Sequence, residues 1–353
     1  VLEVSEDFIQ EFNLDKLAPQ DINSFVDLLD KGDYLLNQRS LSHPEKNFLI
    51  SRHCNSSVSA ALLKYVHSQT VRERLAESVQ LISTDLTAQK IVISTFILQM
   101  LSIDLNANEL YSILDIKGLP QSTLNNSGFQ DLIEIKSGKI TSHSTVLAQY
   151  IISQQPPTTI LQSMEVMNQH AERIFSADKK HAIRAAFITY SNLNLLILHH
   201  ARNEFINCKI LEYYYNLSQS RIYDDNPFFW LQYAIASMEL PDYPRANSLL
   251  QKAYDCANQR SNFDTFQIDT QYARFILESA CVGGSTSPYN DFIVASTYWD
   301  KAVKSSKSNP RLVICQVVKA YPEFFSKYHG VLSSEEKNKL LIDTQKFIDL
   351  AQQ

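Results

Sequence analysis

Apolar positions along most of this chain recur with the 3.6-residue period of an α-helix. The plainest case runs from Asn226 to Glu278. Trp230, Tyr233 and Ala234, then Ala246, Leu250 and Ala253, fall there at helical spacing. Two prolines in Leu240-Pro-Asp-Tyr-Pro244 interrupt the run and forbid one continuous helix. The pattern therefore predicts two helices of about a dozen residues each, folded back on one another. Alanines sit where the two backbones come closest, and the rings of Trp230 and Tyr233 fill the space beside them.

The rest of the chain follows in order. Residues 1–12 read as a short strand and loop. Residues 19–30 carry Ile22, Phe25, Val26 and Leu29 on one face, an amphipathic helix stopped by Gly32. Ser42-His-Pro-Glu45 has the form of a capping box with proline in the first turn, opening a helix through Phe48, Leu49 and Ile50. Helices over 57–68 and 71–82 complete a small bundle. From Thr87 the pattern changes. A strongly apolar helix over 91–101 precedes one from about Asn108 (Leu110, Tyr111, Ile113, Leu114) and a short third one over 120–126. Residues 132–135 and 139–142 alternate around Ser137-Gly138, which predicts a hairpin. Three helices and a hairpin spell a winged helix. One more helix covers 145–153, and Gln154-Gln-Pro-Pro157 reads as a boundary. Beyond it the pattern predicts helices over 158–174, 178–197, 201–218 and 227–238. The repeat follows, then helices over 265–280, 291–305, 311–328 and 333–352, with residues 283–288 as an insertion loop. The expected fold is mostly all-α: a helical bundle and a winged helix followed by an α-solenoid, with one small β-hairpin. The boundaries fall at 1–85, 86–155 and 156–353.

Composition supports long helices. Only 7 of 353 residues are glycine, where roughly 7% is usual. That scarcity argues against phosphate loops and an α/β nucleotide-binding fold. The formal net charge of −6 gives no reason to expect a polyanionic partner. The five cysteines (Cys54, Cys208, Cys256, Cys281, Cys315) form no C-x-x-C pair and read as reduced thiols of a cytoplasmic protein. No apolar run approaches the ~18 residues of a membrane span, and no signal peptide is visible. The chain opens at Val1 without methionine, in what reads as a strand, so the expectation is the C-terminal part of something larger.

No catalytic constellation emerges. G-x-x-x-x-G-K-[ST] and G-x-G-x-x-G are both absent. His199 and His200 are adjacent and point about 100° apart on a helix, poor geometry for a shared metal. Asp224-Asp225 reads as a helix entry and Glu335-Glu336 as a first helical turn. The winged helix invites a nucleic-acid reading, but its charges oppose it. Between Leu86 and Ile152 lie Lys90, Lys117, Lys136 and Lys139, no arginine, and five acids; the third helix has no cation for a phosphate. No nucleic-acid, membrane or metal partner is expected.

The large-small-small offsets of Trp230, Tyr233, Ala234, Ala246, Leu250 and Ala253 resemble a tetratricopeptide repeat, a recognition scaffold without chemistry of its own. The order of parts in turn resembles the downstream half of STAND-class signalling ATPases. These are relatives of plant and animal NOD-like receptors found in bacterial antiphage defence. Leu41-Ser-His-Pro-Glu45 through Ala60-Ala-Leu-Leu63 is similar to that family's lid segment, and Lys139 through Tyr150 to its wing strand and following helix. Tyr272-Ala-Arg274 after residues 263–269 is similar to its repeat region. The resemblance implies that residues 1–85 hold the end of the nucleotide-binding fold and the lid. ATP or ADP would be the cofactor of the full-length protein, with its binding motifs upstream of Val1. His143, at the end of the wing strand, would be the cofactor-binding residue touching phosphate and locking the resting state. The repeats would bind a protein trigger or partner in a groove, with Gln232, Gln271 and Arg274 as partner-binding residues. The resemblance also allows a homo-oligomer. The other reading open to the residues is a free-standing winged-helix and repeat adaptor, or a transcription regulator, that takes no nucleotide.

Overall fold

The computed structural model describes residues 17–31, 40–54, 56–58, 61, 69–142, 145–174, 176–197, 204–305 and 320–352. The strand expected over 1–12 lies outside them. So do His143, His199, His200, most of the helix expected over 57–68 and the first part of the one expected over 311–328. The chain divides into two compact units between Pro156 and Pro157, with His170–Ser176 belonging to the first.

In the first unit, α1 (Pro19–Lys31) buries Ile22, Val26 and Leu29 beside Ile50, Cys54 and Ala61. Helix α2 (His43–Phe48) starts from the capping box of Ser42 and Glu45. Lys46 reaches back from it to both carboxylate oxygens of Asp30, at 2.9 Å each.

The winged helix is built around α4 (Leu86–Met100). Every residue from Ile91 to Leu98 is buried, because a helix apolar on all sides can be covered only from all sides. Asp85 caps it, accepting from the backbone N–H groups of Thr87 and Ala88 and from the hydroxyl of Thr123. Helix α5 (Ala107–Leu114) is capped by Asn106 and Glu109. Strands β1 (Ile133–Lys136) and β2 (Lys139–Ser142) pair antiparallel from Ile133↔Ser142 to Lys136↔Lys139. Ser137 and Gly138 between them both take positive φ, as a two-residue type I′ hairpin requires. Asn106 bridges Lys139, adding one residue of a third strand. Helix α8 (Thr145–Gln154) follows.

Two details differ from expectation. The short helix expected over 120–126 does end near Asn126, but the third helix of the winged helix is more than that one. It is α6 (Gln121–Leu124), broken at Asn125–Asn126, and then α7 (Ser127–Leu132), for which the Asn126 side chain caps Phe129 N. The helix expected over 71–82 forms as α3 (Gln69–Ser83), but its described contacts run chiefly to α7 and then to α4. A Cβ on Gly128 would lie 2.5 Å from the Ser78 carbonyl oxygen. The Ser78 hydroxyl donates to Asp131 at 3.0 Å, and Asn126 Nδ2 donates to Leu81 O at 3.2 Å.

The second unit holds α9 (Pro157–Gln169), α10 (Ala177–Ile188), α11 (Tyr190–Ile197), α12 (Glu204–Gln219), α13 (Pro227–Met238), α14 (Tyr243–Asn258), α15 (Phe266–Gly283) and α16 (Pro288–Ser305). Residues 320–328 form α17, and α18 is Ser334–Gln352. Helices α13 and α14 make one hairpin, and Trp230, Tyr233, Ala234, Ala246, Leu250 and Ala253 are all buried in it. Helices α15 and α16 make a second. Ala295, Trp299 and Ala302 of α16 repeat the spacing of Ala246, Leu250 and Ala253 and are buried with Ala273, Leu277 and Ala280.

The segment expected as one helix over 178–197 is two, and the break at Thr189 has a local cause. The last four carbonyls of α10 have side-chain donors. Ala185 O accepts from Thr189 Oγ1, Ala186 O from Asn192 Nδ2, Phe187 O from Tyr213 OH and Ile188 O from Tyr214 OH. Tyr190 N donates to Gln232 Oε1 at 2.9 Å. With its terminal groups satisfied by α12 and α13, the helix can end in the interior.

Candidate functional site

Helix α15 gathers the polar chemistry of the repeats. Asp269, Ala273, Leu277 and Ala280 lie at i, i+4, i+8 and i+11, so they share its inward face, and all are buried. Turning that stripe inward leaves Tyr272, Arg274, Phe275 and Glu278 half-exposed.

Arg274 lies between two carboxylates. Its Nη2 donates to Glu239 Oε1 at 3.0 Å, at the end of α13, and its Nε to Glu278 Oε1 at 2.5 Å, one turn along. The arginine side chain is 17% exposed. Burial pulls its pKa down, but attraction and hydrogen bonding to Glu278 and Glu239 outweigh that and hold it above the usual value. Burial pushes Glu278 up, against the pull of Arg274.

At the other end of α15, the Asp269 side chain is 0% exposed. Its Oδ1 accepts from Tyr254 OH at 2.8 Å and Lys301 Nζ at 2.9 Å, and its Oδ2 from Thr265 Oγ1 at 2.7 Å. Burial, with the Asp269 charge beside it, drives the Tyr254 phenol far above its ordinary pKa, so it remains a donor.

A row of rings joins the two ends. Tyr272 meets Tyr298 edge-on at 4.8 Å, Tyr254 edge-on at 5.8 Å and Phe275 stacked at 5.8 Å, and Phe275 meets Tyr243 at 6.2 Å. Half-exposed rings beside an arginine are the residue types that anchor protein partners. Among the described residues no group of three or more His, Cys, Asp and Glu could hold a metal.

No protein-family model matches this chain, and no curated protein matches it. A similar solved structure is that of a Signal Transduction ATPase with Numerous Domains (STAND) protein with a tetratricopeptide repeat sensor from Pyrococcus horikoshii. The identity is 13% and the TM-score 0.19, over 96% of this chain and 62% of that one. This chain therefore spans less than two thirds of that protein's length. The likeness is too slight to assign a fold, ligand or partner.

The residues expected to bind a partner have different surroundings. Arg274 is on the half-exposed side of α15, already paired. Gln271 is half-buried, and its Oε1 is enclosed without a hydrogen-bond donor. Gln232 corrects the sequence reading: it is 8% exposed, and its carbonyl is taken by Tyr190 N. It is a packing residue because α13 is covered on almost every side. Sequence reasoning missed Tyr254, Asp269 and Lys301. The readable signal was Asp269 itself, a carboxylate standing on an apolar stripe, which must have a partner.

The winged helix has few cations on the element expected to meet nucleic acid. Its third helix, α6 and α7, has no lysine or arginine, and the side bearing Gly128 is covered by α3. No helix among the described residues is long and apolar enough to cross a membrane.

Proposed function

We propose that this chain is the regulatory and sensor half of a STAND-type ATPase, in which the tetratricopeptide-like repeats receive a protein trigger and the winged helix holds the nucleotide-bound resting state. The observation that carries the reading is a winged helix whose third helix holds no lysine or arginine, followed in the same chain by tandem helical hairpins. The seating of α7 on α3 suits an internal packing module better than a reader of bases. The row Tyr243, Phe275, Tyr272, with Arg274 beside it, offers the repeats a recognition face. In the full-length protein ATP or ADP would bind to motifs upstream of Val1, with His143 near the phosphates. The setting would be bacterial antiphage defence in the cytoplasm, and triggering would assemble a homo-oligomer.

The test begins with the reading frame upstream of Val1, which should encode a P-loop. The protein with that segment should retain ADP, and His143→Ala should release it several-fold faster. A frame without a P-loop, or a protein that binds no nucleotide, overturns the reading and leaves a free-standing adaptor.

A further inference from the structure

Asp269 ties three helices together. Tyr254 comes from α14, Thr265 and Asp269 from the start of α15, and Lys301 from the last turns of α16. Two of the three partners of the carboxylate are neutral hydroxyls. Its one cationic partner among the described residues is Lys301, whose side chain is 55% exposed while that of Asp269 is 0% exposed. Lys301 Nζ also lies 3.3 Å from Thr265 Oγ1 and 5.9 Å from the centre of the Tyr254 ring. On its outer side it borders a shallow hollow of about 530 Å³ with Thr297, Asp300, Lys304 and Ser305. The buried half of this ion pair is thus out of reach, and the half that compensates it is open to solvent.

Removing one partner of a buried ion pair leaves an uncompensated charge inside, whereas removing both leaves none. We propose that Lys301 is a charge-operated latch on the seam between the two hairpins. While its ammonium rests on Asp269, α16 is held to α14 and α15. Neutralising that charge, or drawing it away from the surface side, loosens the last turns of α16. The inference concerns how the repeats are held together and does not depend on what they bind.

The test is hydrogen–deuterium exchange of α15 and α16 amides, with urea midpoints, in the whole 353-residue chain. Lys301→Met should raise exchange in α16 about tenfold, while Lys301→Arg stays within about threefold of the parent. Lys304→Met, from the same hollow, should leave exchange unchanged. In an Asp269→Asn background Lys301→Met should lose most of its effect. The double variant should also fold if Lys301→Met alone does not. The latch is overturned if Lys301→Met opens α16 no more than Lys304→Met does, or as much in the Asp269→Asn background as in the parent.

Discussion

Trp230 and Arg274 show what a single side chain contributes to the scaffold. Trp230 is 4% exposed. Its Nε1 donates to Asp224 O at 3.1 Å, and Lys252 Nζ sits 3.5 Å from the ring centre. Trp230→Ala should destabilise by about 3–5 kcal/mol. Arg274→Ala would be near neutral for a surface residue. Here it leaves Glu239 and Glu278 half-buried without their cation, so the expected loss is about 1–3 kcal/mol. Chemical denaturation checks both, and equal losses would make Arg274 as structural as Trp230. The inward set Trp230, Ala234, Ala246 and Ala253 was legible in the sequence because periodicity along one chain determines it. The role of Gln232 was not, because its partner Tyr190 lies 42 residues away.

At the scale of elements, helices were easier to find than their ends. The long apolar run of α4 and the turn Ser137-Gly138 declare themselves locally. The break at Thr189 does not, since Tyr213, Tyr214 and Gln232 provide its bonds from two other helices. Both tyrosines are buried deeply enough that burial holds their phenols well above the ordinary pKa, as neutral donors. Gln232→Leu keeps much of the volume but removes the carbonyl that accepts from Tyr190 N–H, at an expected cost of about 1–3 kcal/mol. Exchange protection of the Tyr190 amide should fall first. If that amide stays protected while the global midpoint drops, the glutamine acts by packing alone and the account of the break is wrong.

For the molecule as a whole, the order winged helix then repeats was readable, and so was the shortage of cations on the third winged helix. The covering of α7 by α3 was not, because Gly128 signals a close approach without naming what approaches. Together they predict no salt-sensitive binding to duplex DNA. Micromolar or tighter binding at physiological salt, abolished by reversing Lys136 and Lys139 to glutamate, would show that the hairpin reads DNA after all.

The network at Asp269 also limits how the repeat array can be divided. Each hairpin has its own row of small and large residues, so the boundary between Asn258 and Phe266 looks like a natural place to cut or to splice in another module. Yet Tyr254 lies on one side of it, and Asp269 and Lys301 on the other. A chain ended after Asn258 takes from the Tyr254 phenol both its acceptor and the Tyr272 ring packed against it, and a graft beginning at Phe266 brings in a carboxylate without the hydroxyls of Tyr254 and Thr265. An exchangeable unit of this array therefore has to contain at least the pair of hairpins.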